Sequence, residues 1–276
     1  MKKSVRLNAA VVVVTLAALL MSTQGATIVE AATLQLSEAQ KFALTKATAS
    51  DPSRAARFNS LYNELLQLQT QIEQTDQSFN TLHYRNEESL TTVRKQVQQI
   101  NAAQLLKLAS AVKQTQERYK PLFVMYTSLG NQLSVARKLK NKQLTSLLST
   151  QLEAAKITVQ LAREDIRSKQ NALSTTRSKT TQLQKSIRSE LSSIHTLKIH
   201  IKAEKSNVST LNKGLSPLWK NVTQSIKIND AAAAYNALSQ VTSKLRQMES
   251  GKQKIITIER KIETIIQSAK SKTPAV

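Results

Sequence analysis

The chemistry this chain can offer rests on few residue types. There are three histidines, His83, His195 and His200, and no cysteine. His195 and His200 stand five apart, which turns them to different sides of a helix, whereas zinc-binding histidine pairs on helices sit four apart. Without a ligand, His195 reads as a flank residue beside Ile194. The acidic pairs are Glu87-Glu88 and Glu164-Asp165. Neighbouring helical residues point about 100° apart, so neither pair presents two facing carboxylates for glycoside cleavage. The sequence also lacks a glycine-rich phosphate loop, a Gly-x-Ser-x-Gly turn and a thiol nucleophile. The residues predict a protein that is not an enzyme and that holds no metal and no cofactor.

Cations are the larger resource. The net charge is +22. Residues 136–216 hold 16 basic and 5 acidic residues, a net of +11. Lys156, Arg163, Arg167, Lys169, Arg177, Lys179, Lys185, Arg188, Lys198, Lys202 and Lys205 are the candidate polyanion-binding residues. A field of one sign attracts polyanions; it also simply keeps an exposed helix soluble. Phe58, Tyr62, Phe123 and Trp219 offer ring faces of the kind that stack on sugars. Phe58 falls in an apolar heptad row and belongs to a core. Phe123 and Trp219 follow prolines, which predicts plugs at bundle ends.

The element that must carry the cations is a long helix. Stepping in sevens gives Leu152, Val159, Ile166, Leu173, Thr180, Ile187, Ile194, Ile201, Val208 and Leu215, aliphatic except at Thr180. Such a row lies along one side of a helix, and neither glycine nor proline intervenes between Gly130 and Gly214. One apolar stripe cannot hold so long a helix in water without partner helices. Residues 52–118 and 230–268 are the expected partners.

Asp51-Pro52 starts a helix striped by Phe58, Leu61, Leu65, Leu68, Ile72, Thr75, Phe79 and Leu82. The stripe shifts near Asn86, so either one helix of about 65 residues or two with a kink there is expected. Residues 33–48 predict a short amphipathic helix with Leu34, Leu36, Ala39, Phe42, Ala43 and Leu44 inward. Pro121 is expected to end or begin an element, with a short helix over 122–140. After Gly214 another short helix and a last one, 230–268, follow. Pro121-Leu122-Phe123 and Pro217-Leu218-Trp219, each followed by a turn with asparagine, suggest either a repeat, in which Asn141 and Asn229 are matched, or two ordinary helical hairpins. The predicted fold is all-α: an elongated bundle of long antiparallel helices with coiled-coil packing over 32–270, and a disordered tail over 271–276.

The start of the chain reads as an export signal. Lys2, Lys3 and Arg6 precede an apolar run of 13 residues, 9–21, and a small-x-Ala ending, Val29-Glu30-Ala31. The run falls short of the roughly 20 residues a spanning helix needs. Cleavage between Ala31 and Ala32 is expected, leaving a chain of net charge +20 with no membrane-spanning segment. Export turns the charge away from nucleic acid and toward anionic wall polymer, phospholipid head groups or acidic polysaccharide. The place expected is outside a Gram-positive-type cell, secreted or wall-associated, as a monomer or dimer.

Glu30-Ala31-Ala32-Thr33 followed by long basic helices, and the hairpin from Val222 through Ile226-Lys227-Ile228-Asn229-Asp230-Ala231-Ala232-Ala233-Ala234, resemble the helical N-terminal region of SbsC-type bacterial surface-layer proteins. The resemblance implies binding of a secondary cell-wall polymer. It carries over no binding residues, and the β-domains that build the lattice have no counterpart. The competing expectation is a coiled-coil scaffold or adaptor that regulates other exported or wall-associated proteins.

Overall fold

The computed structural model describes residues 34–49 and 51–274, so the export signal and its Ala31/Ala32 cleavage site lie outside the described residues. Six helices follow one another: α1 (Glu38–Ala47), α2 (Pro52–Gln99), α3 (Ala102–Lys138), α4 (Lys142–Lys213), α5 (Leu215–Lys227) and α6 (Ala231–Ser271). The described residues contain no strand. The fold is an elongated all-α bundle. At about 1.5 Å per residue, the 72 residues of α4 run roughly 108 Å without interruption.

Local chemistry sets the boundaries. Ser37 and Gln40 form a reciprocal capping box on α1. Asp51, Asn141 and Asp230 accept from backbone amides in the first turns of α2, α4 and α6. α2 is continuous through Asn86, so of the two expected arrangements the uninterrupted helix is found at that point, though it ends earlier than expected. The chain breaks instead at Ile100 and Asn101, where Asn101 takes a left-handed conformation, φ 55°. α3 contains Pro121 in its interior, which corrects the expected boundary. The helix absorbs a missing amide donor there because its other face is held on α4. Tight turns at Lys140 (φ 52°) and Asn229 (φ 58°) reverse the chain. In each, the following residue donates to a carbonyl five back: Asn141 to Ala136 and Asp230 to Ser225. The two turns share this geometry, a common way to end a helix, and it pairs Lys140 with Asn229, one residue out of the expected register. Pro121 and Pro217 differ in setting, inside α3 and in the first turn of α5.

α2 and α3 run on as one rod, antiparallel to α4 and α5. Asn101 Nδ2 donates to Thr180 Oγ1 at 2.8 Å, Gln184 Nε2 to the Val97 carbonyl at 2.9 Å, and Tyr119 to Asp165 at 3.2 Å. α6 returns along the second half of α4 and lies parallel to α2, joined by Arg246–Glu64, Lys252–Asp76 and Arg85–Glu263. α2 packs chiefly on α6 rather than on α4 as expected from length, and α3 supplies the partner for the first half of α4.

The result is a thick body and a thin arm. In the body, residues of α1, α2, α5 and α6 bury one core around Phe58, Leu65, Leu215, Val222, Leu238 and Leu245. A second core joins Leu90, Val93, Ile187, Ile194, Ile255 and Ile262. In the arm, α3 and the first half of α4 form a two-helix hairpin with a small core of Leu133, Ala136 and Leu148 near the tip. The stripe on α4 follows this division. Val159, Ile187, Ile194, Ile201 and Leu215 are buried, as is Thr180, while Leu152, Ile166, Leu173 and Val208 are half-buried. In the arm a single partner helix encloses Val159 but only partly covers the larger Leu152, Ile166 and Leu173. Phe42, expected inward on α1, is 75% exposed, because only the face carrying Leu44 meets the body. Ser271 is the last residue of α6 rather than part of a tail.

Candidate functional site

The histidines, acidic pairs and aromatics are engaged in packing or stand apart from one another. Among the described residues no group of three or more His, Asp or Glu could hold a metal ion. His83 stacks on Phe79, with centroids 5.3 Å apart, and its Nδ1 meets Glu259 Oε1 at 2.7 Å. His195 and His200 are exposed on α4. Glu87 pairs with Lys198, Asp165 accepts from Tyr119, and Glu88 and Glu164 face solvent. Phe58 is core, as expected, and the Tyr62 hydroxyl accepts from the Leu36 amide. Trp219 packs on the body core. Phe123 plugs no end: it lies midway along the arm in a groove with Tyr126, Thr127, Arg163 and Ile166.

The eleven α4 cations divide at the junction of body and arm. Lys156, Arg163, Arg177, Lys198 and Lys205 share one row of period seven beside the apolar stripe. In the arm this row is open, and Lys156, Arg163 and Arg177 are exposed. In the body, α2 and α6 cover the same row. Lys198 is tied to Glu87 there, and Lys205 is half-buried with its ammonium 4.2 Å from the centre of the Phe79 ring. Burial pushes the Lys205 ammonium below its ordinary pKa, against the opposing pull of Glu259 and Asp76. Lys198 and Lys205 therefore stand half-buried against the body, whereas the other nine candidates are exposed.

Arg167, Arg188 and Lys202 form a second exposed row, and Lys169, Lys179 and Lys185 stand outside both. The cations thus surround the open circumference of α4 instead of lining a single pocket. Such an arrangement can hold an extended anion by many exchangeable contacts, and it cannot enclose a small one. Lys156 also sits 3.7 Å from Glu153 one turn away, a solvent-exposed contact of little weight.

The tip of the arm escaped the sequence reading. Arg137, Lys140 and Lys142 line a shallow groove there with Thr145, Ser146 and Ser149. Guanidinium, ammonium and hydroxyl groups together suit phosphate or sulfate oxygens. The signal was present: no acidic residue occurs between Glu117 and Glu153, a span with six cations. It was missed because those cations straddle a turn and share no helical period.

No protein-family model matches the chain, and neither a curated protein nor a solved structure does.

Proposed function

We propose that the protein is a non-enzymatic binding rod of a Gram-positive-type envelope, whose basic arm holds an anionic wall polymer. One observation carries this reading: residues 102–179 contain 14 basic and 4 acidic residues on a hairpin too thin to bury them. The body neutralises much of its own charge with cross-helix pairs such as Arg246–Glu64 and Lys272–Glu190. On the arm, the ion pairs found, Lys120–Glu117 and Lys156–Glu153, lie within single helices at 3.7 Å. The signal-like pattern of residues 1–31 and the resemblance to SbsC-type polymer-binding regions support the extracellular setting.

The test is retention on purified walls before and after acid extraction of the polymer. The native chain should be retained on intact walls and released by salt, since each displaced counterion makes the affinity fall with ionic strength. Lys156→Gln/Arg163→Gln/Arg167→Gln/Arg177→Gln should lower retention by about tenfold, because each exposed cation contributes a fraction of a kcal/mol. Equal retention on stripped walls defeats the reading.

The scaffold reading has its own support in the groove around Phe123 and Ile166, where the arm has no third helix. Salt-insensitive capture of one exported protein, lost on Phe123→Ser, would favour it.

A further inference from the structure

The exposed apolar side chains are not spread evenly. Leu106, Val124, Met125, Val135, Leu139, Leu144, Leu147, Ile157 and Leu161 all belong to the arm. Four of them, Val135, Leu139, Leu144 and Leu147, crowd the turn that joins α3 to α4. Leu139 is 71% exposed at the very reversal of the chain. These side chains are surplus to the hairpin's own packing, which Leu133, Ala136 and Leu148 supply beneath them. Arg137, Lys138, Lys140 and Lys142 alternate with them, all exposed.

We propose that this tip docks on an anionic lipid bilayer, with Val135, Leu139, Leu144 and Leu147 entering the interface and the four cations gripping head-group phosphates. Apolar groups at the end of a rod, ringed by cations, match a surface that is anionic outside and oily a few ångströms beneath. A hydrophilic polymer would answer the charges and leave the leucines in water. A second copy of the tip would cover the leucines and set four cations against four. The bilayer satisfies both halves of the pattern, and the groove of Arg137, Lys140, Lys142, Thr145, Ser146 and Ser149 offers a seat for a lipid phosphate. Attachment would be peripheral, because no described helix is long and apolar enough to cross a membrane.

The test is flotation of the chain from Ala32 onward, which contains every residue of the described fold, with vesicles. Vesicles of equal parts phosphatidylglycerol and phosphatidylcholine should carry it, and pure phosphatidylcholine vesicles should not. Leu139→Ser/Leu147→Ser and Arg137→Gln/Lys138→Gln/Lys142→Gln should each cut binding by about tenfold or more. All these positions are exposed, so the circular dichroism should not change. With Trp219→Phe in place, Leu139→Trp should emit at shorter wavelength when anionic vesicles are added.

Equal flotation of either variant and the native chain overturns the proposal, as does an unshifted emission. A native chain that floats with neither vesicle, or a dimer in sedimentation that the serine pair dissolves, overturns it too. Retention on extracted and unextracted walls by the serine pair is read separately, since those leucines play no part in polymer binding.

Discussion

Glu259 is 2% exposed in the middle of the body. Its carboxylate is kept there by Asn86 Nδ2, at 2.7 Å, and by His83. Asn86 Nδ2 also donates to the Glu259 backbone carbonyl, at 2.9 Å. The group lies within the second core, between Ile255 and Ile262, while Thr75, Asp76, Glu249 and Lys252 form a polar layer between the two apolar cores. A carboxylate in such a place is costly unless its donors are kept. Asn86→Ala should therefore destabilise the protein by about 2–3 kcal/mol in urea unfolding. The glycines give opposite forecasts. A methyl group on Gly251 would meet Val208 Cγ2 at 2.9 Å, whereas one on Gly130 meets nothing within 4 Å. Gly130→Ala should raise stability by about 1 kcal/mol from helix propensity, and Gly251→Ala should lower it by about 1 kcal/mol or more. Arg246 and Lys272 hold the carboxyls of Glu64 and Glu190 below their ordinary pKa through hydrogen bonds. Depressed carboxyls stabilise the fold above their ordinary pKa, and that share is lost as pH falls through the lowered value. Both pairs face solvent, so acid titration should cost only about 0.5 kcal/mol at each, less in high salt.

Among the elements, α4 was the most legible. Its heptad row, its start beside Asn141 and its end at Gly214 could all be read directly, because periodicity and caps are local signals. The break at Asn101 could not. No glycine or proline marks it, and the left-handed turn is held by a contact with Thr180, 79 residues away. Pro121 misled in the other direction. Proline removes the donor for the Glu117 carbonyl, yet tertiary packing on α4 carries the helix through. Pro121→Ala should restore that bond and slow amide exchange along α3, with a gain of roughly 1–3 kcal/mol in local stability. The two rows of α4 cations were also legible as spacing. What covers Lys198 and Lys205 was not, since it depends on α2 and α6 lying beside the second half of α4 alone.

At the scale of the whole molecule, charge and apolar exposure both concentrate where the bundle is thinnest. The body buries large side chains from several helices, while the arm has one layer of contact along its length. Composition predicted the excess of charge and the heptads predicted the all-α rod. Neither could say which half of α4 would be left with a single partner. Hydrogen exchange should reflect the difference, with residues 102–179 losing protection well before α6. The passage from arm to body adds a last consequence. The helical ladder is interrupted between α2 and α3 at Ile100–Asn101, while α4 crosses the same level unbroken. When the tip is held and the body is pulled, one strut yields at a joint without helical hydrogen bonds and the other carries the tension. The rod then behaves as a tether with a hinge on one side, stiff when stretched and compliant when bent.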